Sequence, residues 1–118
     1  MTSVRHHILT TLDVLQAIGD AALAAAEGGD ERRSATLLLD VRDATRAEQD
    51  WLGGLAPGLG PRTLEVLTSY RLALAQVEVL AGKVVERLPE FDEKTTRRCA
   101  EGLIRLLTLR IEVGRLGE

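Results

Sequence analysis

The sequence predicts an all-α protein, a four-helix up-and-down bundle, on three observations. Four segments repeat apolar residues at helical spacing, chain breakers gather in only three places, and aromatic side chains are nearly absent. Aromatics make up 3% of the 118 residues, as Trp51, Tyr70 and Phe91, so the core must be assembled from Leu, Val, Ile and Ala. That set suits helices better than sandwiches or barrels, which draw on aromatic and β-branched residues. The breakers are Gly28-Gly29-Asp30, then Gly53 through Pro61, then Pro89-Glu90-Phe91-Asp92. The rival architecture is two long helical hairpins exchanged within a dimer.

The first helix carries Val4, Ile8, Thr11, Leu15, Ile18, Ala22 and Ala25 along one side and stops at Gly28-Gly29, residues able to adopt the left-handed turn after a last helical residue. The second starts at Asp30, whose carboxylate can accept from first-turn amides, and is expected to bury Leu37, Val41, Ala44 and Trp51. The third opens at Gly60-Pro61, where proline gives up no helical hydrogen bond, and runs through Leu67, Tyr70, Leu74, Val77, Ala81, Val84 and Leu88. This seam is the strongest periodic signal in the chain.

The fourth starts near Asp92, with apolar positions at Cys99, Leu103, Ile104, Leu106, Leu107, Ile111 and Val113. Its opposite face, Arg97, Glu101, Arg105, Thr108, Glu112 and Arg115, reads as solvated. Arg110 interrupts the stripe, which places it at the bundle's end with its head in water or against an acidic partner.

Length and composition fit one domain over residues 1–118, with 45% apolar and 28% charged residues, a globular balance rather than a disordered one. Residues 1–60 sum to −4 and residues 61–118 to +1, so neither half concentrates the positive charge that nucleic acid requires. The single cysteine, Cys99, cannot form an internal disulfide, which suits a reducing compartment. No charged-then-apolar leader opens the chain, and no uninterrupted apolar run reaches the ~18 residues of a membrane span. A cytoplasmic location with no membrane partner is therefore expected.

The same reading leaves little chemistry. His6 and His7 are adjacent, so they point about 100° apart on a helix and cannot clasp one metal as an i,i+4 pair does. No Glu-x-x-His pair suggests a di-iron site. The glycines at 53, 54, 58 and 60 lack the preceding strand and the Lys-Ser/Thr sequel of a phosphate loop. Cys99 lies with Leu103 and Leu106 and is expected to be buried. No catalytic residue, cofactor or metal follows, and the expected class is a non-enzymatic binding module.

Its surface is expected on the fourth helix, where the apolar positions exceed the ~100° stripe that packing on one side uses. Leu103, Leu106, Leu109, Arg110, Val113 and Leu116 are the candidate partner-binding residues. The partner would be another protein or a second copy of the chain, with a homo-oligomer, specifically a homodimer, as the commonest solution.

Three stretches resemble known families. The run from Ala24 through Gly28-Gly29-Asp30 into Leu37-Leu38-Leu39-Asp40-Val41-Arg42 resembles the hairpin of the small helical-bundle flagellar and type III export chaperones. That resemblance spans about half the chain and implies a cytoplasmic chaperone or adaptor acting through an amphipathic helix. Arg5-His6-His7-Ile8-Leu9-Thr10-Thr11-Leu12 is similar to the phosphotransfer hairpin of sensor histidine kinases, although the usual acidic residue and proline are absent. It implies phosphotransfer by His6 or His7 as the alternative function. Trp51-Leu52-Gly53 resembles the turn of small secreted Trp-x-Gly hairpin proteins, but the chain has four segments where those have two. Trp51 is therefore expected to cover the end of the core.

Overall fold

The computed structural model describes residues 3–55, 59–86 and 93–116, and 89% of these are helical, with no strand among them. Helices α1 (Val4–Glu27), α2 (Glu31–Gly53), α3 (Pro61–Glu86) and α4 (Glu93–Thr108) form a four-helix bundle, and a one-turn helix α5 (Arg110–Gly114) continues α4 after a break at Leu109. The molecule measures 47 × 23 × 20 Å, an elongated prism one helix length tall. Each of the four long helices packs on its sequence neighbour, α4 and α5 return to α1, and α2 and α4 stand on the diagonal. The rival exchange of hairpins is not needed to close the core.

The helix ends follow their sequence signals. Ser3 accepts from the His6 amide at 3.0 Å and Asp30 from the Arg33 amide at 3.1 Å, each satisfying a first-turn donor. Gly29 takes φ +82°, a conformation that only glycine adopts without strain, and lets the chain reverse from α1 into α2 within three residues. Pro61 is the first residue of α3. The expected seam position Leu88, and the starting residue Asp92, lie outside the described residues.

The core is built as the periodicity predicts on α3 over its described residues, on α1 with Leu12 fully buried and the expected Val4, Thr11 and Ile18 only half-buried, and differently on α2 and α4. Ile8, Leu12, Leu15, Ala22 and Ala25 on α1 are buried, as are Leu67, Tyr70, Leu74, Val77, Ala81 and Val84 on α3. Helix α2 is rotated from the expected setting: Leu37, Ala44 and Trp51 are half-buried, and the inward line is Ser34, Ala35, Leu38, Val41, Thr45, Glu48 and Leu52. Three polar residues thus occupy core positions, and each has a partner. Ser34 donates to the Ala22 carbonyl at 2.9 Å, Thr45 to the Arg42 carbonyl at 2.8 Å, and Glu48 is held as described below.

Close approach shapes the α4 side. A Cβ on Gly19 of α1 would collide with the Leu103 side chain, and one on Gly102 of α4 would stand 3.2 Å from Leu80 Cδ1 and 3.7 Å from Val77 Cγ2. Glycine at both positions lets α4 sink between α1 and α3. Cys99 is buried there as expected, and burial pushes its thiol up to about 11.

Helix α1 combines 24 residues with a mean hydropathy of 1.4 over its most apolar window, enough by length and composition to cross a bilayer. Here its apolar side is the bundle core, and Asp13 on its outer side pairs with Arg110. The low-charge pattern of a core helix passes the same test as a membrane span.

Candidate functional site

Two features stand out, at different places on the bundle. The first is a hydrogen-bonded network at the end where α1 begins, α2 finishes and α3 begins. Glu48 is 4% exposed and reaches into the bundle from α2. Its Oε2 accepts from the Tyr70 hydroxyl at 2.6 Å, and its Oε1 lies 2.5 Å from His7 Nε2. A carboxylate oxygen accepts, so the contact places His7 Nε2 as the donor to Oε1. The His7 ring stacks on Trp51, with centroids 3.6 Å apart and planes inclined by 14°. Burial, reinforced by the hydrogen bond to Glu48, raises the Tyr70 pKa far above the ordinary phenol value, so Tyr70 remains a donor.

His6, His7, Thr10, Thr11, Ala44, Ala47, Glu48 and Trp51 help line a groove of about 470 Å³ over this network. Its chemistry is sparse. The Thr10 hydroxyl is spent on the His6 carbonyl at 2.8 Å, so it is not paired with the imidazole as a nucleophile. His7 Nδ1 has no hydrogen-bond partner among the described residues, and no Lys or Arg lines the groove among them. Nor do the described residues include a group of three or more His, Cys, Asp or Glu that could hold a metal. What the network does is fix three helices to one another through a single buried carboxylate. Sequence periodicity missed Glu48, because a charged residue is excluded from a core stripe unless its partners are known.

The second feature is a groove of about 520 Å³ between α3 and α4, lined by Leu72, Ala75, Gln76, Val79, Leu80, Arg98, Glu101, Gly102 and Arg105. Leu72 and Val79 are 64% and 55% exposed, one heptad apart on the outer side of α3. Helix α3 is therefore apolar on two sides: its core seam, and a second stripe through Leu72, Ala75 and Val79. On the opposite wall Arg98 and Arg105 are also seven residues apart, and neither has an ion pair among the described residues. The contrast is the α2–α3 side, where Arg46 meets Glu78 at 2.8 Å and Gln49 donates to it at 2.9 Å, holding its carboxyl below the usual range.

The six residues expected to form a partner surface divide unevenly. Leu106, Val113 and Leu116 are buried in the chain's own core, which corrects the expectation for these three. Leu103 and Leu109 are half-buried against that core. Arg110 is exposed and paired with Asp13 of α1, so its acidic partner lies within the chain. The break at Leu109 explains much of the surplus: after it α5 packs on α1, so the apolar residues of α4 and α5 need not share one straight stripe. The large side chains left exposed there are Ile104 and Ile111.

The fold and these two features define an all-α four-helix bundle with a carboxylate-centred network at one end and an apolar groove on one side. No family model matches the chain, and neither a curated protein nor a solved structure is significantly similar to it.

Proposed function

We propose that the chain is a non-enzymatic, cytoplasmic protein-binding module, adaptor- or chaperone-like, that takes an amphipathic helix with an acidic flank into the α3–α4 groove. The observation that carries this reading is an exposed apolar stripe facing, across the same groove, two arginines that have no ion pair among the described residues. Leu72 and Val79 present alternate turns to a helix laid alongside, the usual anchoring pattern of helix-in-groove recognition. Arg98 and Arg105 favour carboxylates on its flank, though Glu101 between them leaves the lining at a net charge of only +1.

Phosphotransfer by His7 has less to draw on. Its Nε2 is engaged by Glu48, and the groove lining among the described residues lacks a cation to neutralise a phosphoryl group. His6 is exposed without an orienting side-chain partner among the described residues.

The test is fluorescence anisotropy with a labelled synthetic helix carrying leucines and glutamates at heptad spacing. Binding should be micromolar and weaken with salt. Arg98→Glu with Arg105→Glu should weaken it at least tenfold. A peptide with lysines in place of the glutamates binding equally well would overturn the reading.

A further inference from the structure

We infer that the helix seated in the α3–α4 groove is α3 of a second copy of the chain. This rests on reading that groove as a helix-binding surface and goes further by naming its occupant. The groove calls for a helix with exposed apolar residues on one stripe and carboxylates beyond them. The outer side of α3 is such a helix: Glu65, Leu72, Val79 and Glu86 follow one another at seven-residue intervals, so a glutamate brackets the apolar pair at each end. All four are exposed, and neither glutamate has an ion pair among the described residues.

The geometry is self-complementary. The stripe of Leu72 and Val79 is also one wall of the groove, so a two-fold axis beside α3 lays each copy's stripe into the other's groove in a single operation. Gly102 lies against Leu80 and Val77, which sets Arg105 beside the turn of Leu72 to Gln76 and Arg98 about one turn beyond Leu80. With the two α3 helices antiparallel and crossing near Ala75, Glu65 of the second copy comes level with Arg98. The apolar side chains close over one another and each Arg98 gains a carboxylate at the rim.

Sedimentation equilibrium at micromolar to millimolar concentration reads the result as mass. The wild-type chain is expected to dimerise, and Leu72→Glu with Val79→Glu to be monomeric with unchanged helix content, since both positions are solvent-exposed in the isolated bundle. Charge reversal gives a second reading. A chain with Glu65→Lys and a chain with Arg98→Glu should each dimerise several-fold more weakly, and mixing them should restore a heterodimer. A wild-type chain that stays monomeric at millimolar concentration overturns the inference. If that monomer still binds the acidic peptide, the groove reading stands without it. A dimer insensitive to Leu72→Glu with Val79→Glu overturns the inference as well.

Discussion

Glu48 on α2 and Tyr70 on α3 share a hydrogen bond of 2.6 Å inside the bundle, where neither side chain has solvent to fall back on. The tyrosine is wholly buried, so its hydroxyl supplies to the carboxylate what water would supply at the surface. Tyr70→Phe keeps the ring and its packing and removes only that donor. Denaturant unfolding should show a loss of about 1–3 kcal/mol, the cost of leaving a buried acceptor short of a partner. Glu48→Leu should cost a similar amount alone, and the double variant should cost clearly less than the two together. Additive losses would mean that the pair is not coupled in solution.

The same pair fixes an alkaline limit. Tyr70 titrates higher in the folded chain than the phenol of an unfolded one, chiefly through burial and then through Glu48. The folded state therefore retains a proton that the unfolded state releases above about pH 10. Stability is complete below that pH and falls as pH rises, with a slope approaching about 1.4 kcal/mol per pH unit from this one group. Cys99, raised by burial to about 11, adds to the loss above its ordinary value. Tyr70 is the sole tyrosine, so tyrosinate absorbance should appear together with the loss of helical circular dichroism. Titration of the phenol in a still-helical protein would contradict its burial.

Trp51 is likewise the sole tryptophan, and its emission reports the imidazole stacked on it. His7→Ala should brighten that emission and shift its maximum to longer wavelength, because the ring loses a quencher and its covered face meets water. The same variant removes one partner of Glu48 and should cost about 1–2 kcal/mol of stability. An unchanged spectrum would place the two rings apart.

These two aromatic positions show what could be read in the sequence and what could not. Helices α1 and α3 announce themselves because their inward residues are mostly Leu, Ile, Val and Ala at helical spacing, and glycine after α1 and proline at the start of α3 mark an end of each by backbone chemistry that acts locally. Tyr70 was legible as a seam residue, but its proton acceptor was not. Ser34, Thr45 and Glu48 enter the core only because the Ala22 carbonyl, the Arg42 carbonyl, Tyr70 and His7 satisfy them. Some of those partners come from other helices, and apolar periodicity carries no record of them. On one straight cylinder the leucines of the fourth helix make it the place of the excess apolar surface. A break at Leu109 redistributes it, and the exposed stripe with a groove beside it falls on α3, where the strong core seam masks the weaker signal of Leu72 and Val79.

That redistribution can be tested within α4 and α5, where neighbouring apolar residues have opposite fates. Leu106 and Val113 are fully buried, whereas Ile104 and Ile111 are 62% and 66% exposed. Each pair is separated by seven residues, so both lie at equivalent spacing in the sequence and neither is marked as inward by composition. Removing atoms from the buried pair leaves a void that the close approach of α4 at Gly102 and Gly19 gives little room to collapse. Leu106→Ala should therefore cost about 2–5 kcal/mol, and Val113→Ala somewhat less. Glutamate at Ile104 or Ile111 puts a charge into water and should change stability by less than about 0.5–1 kcal/mol. Leu116→Glu would bury a charge in the core and should unfold the C-terminal turn rather than release a partner. Urea unfolding of the five single variants decides the matter. If Ile104→Glu proved as damaging as Leu106→Ala, α4 would be rotated from the setting described, and with it the wall that carries Arg98 and Arg105.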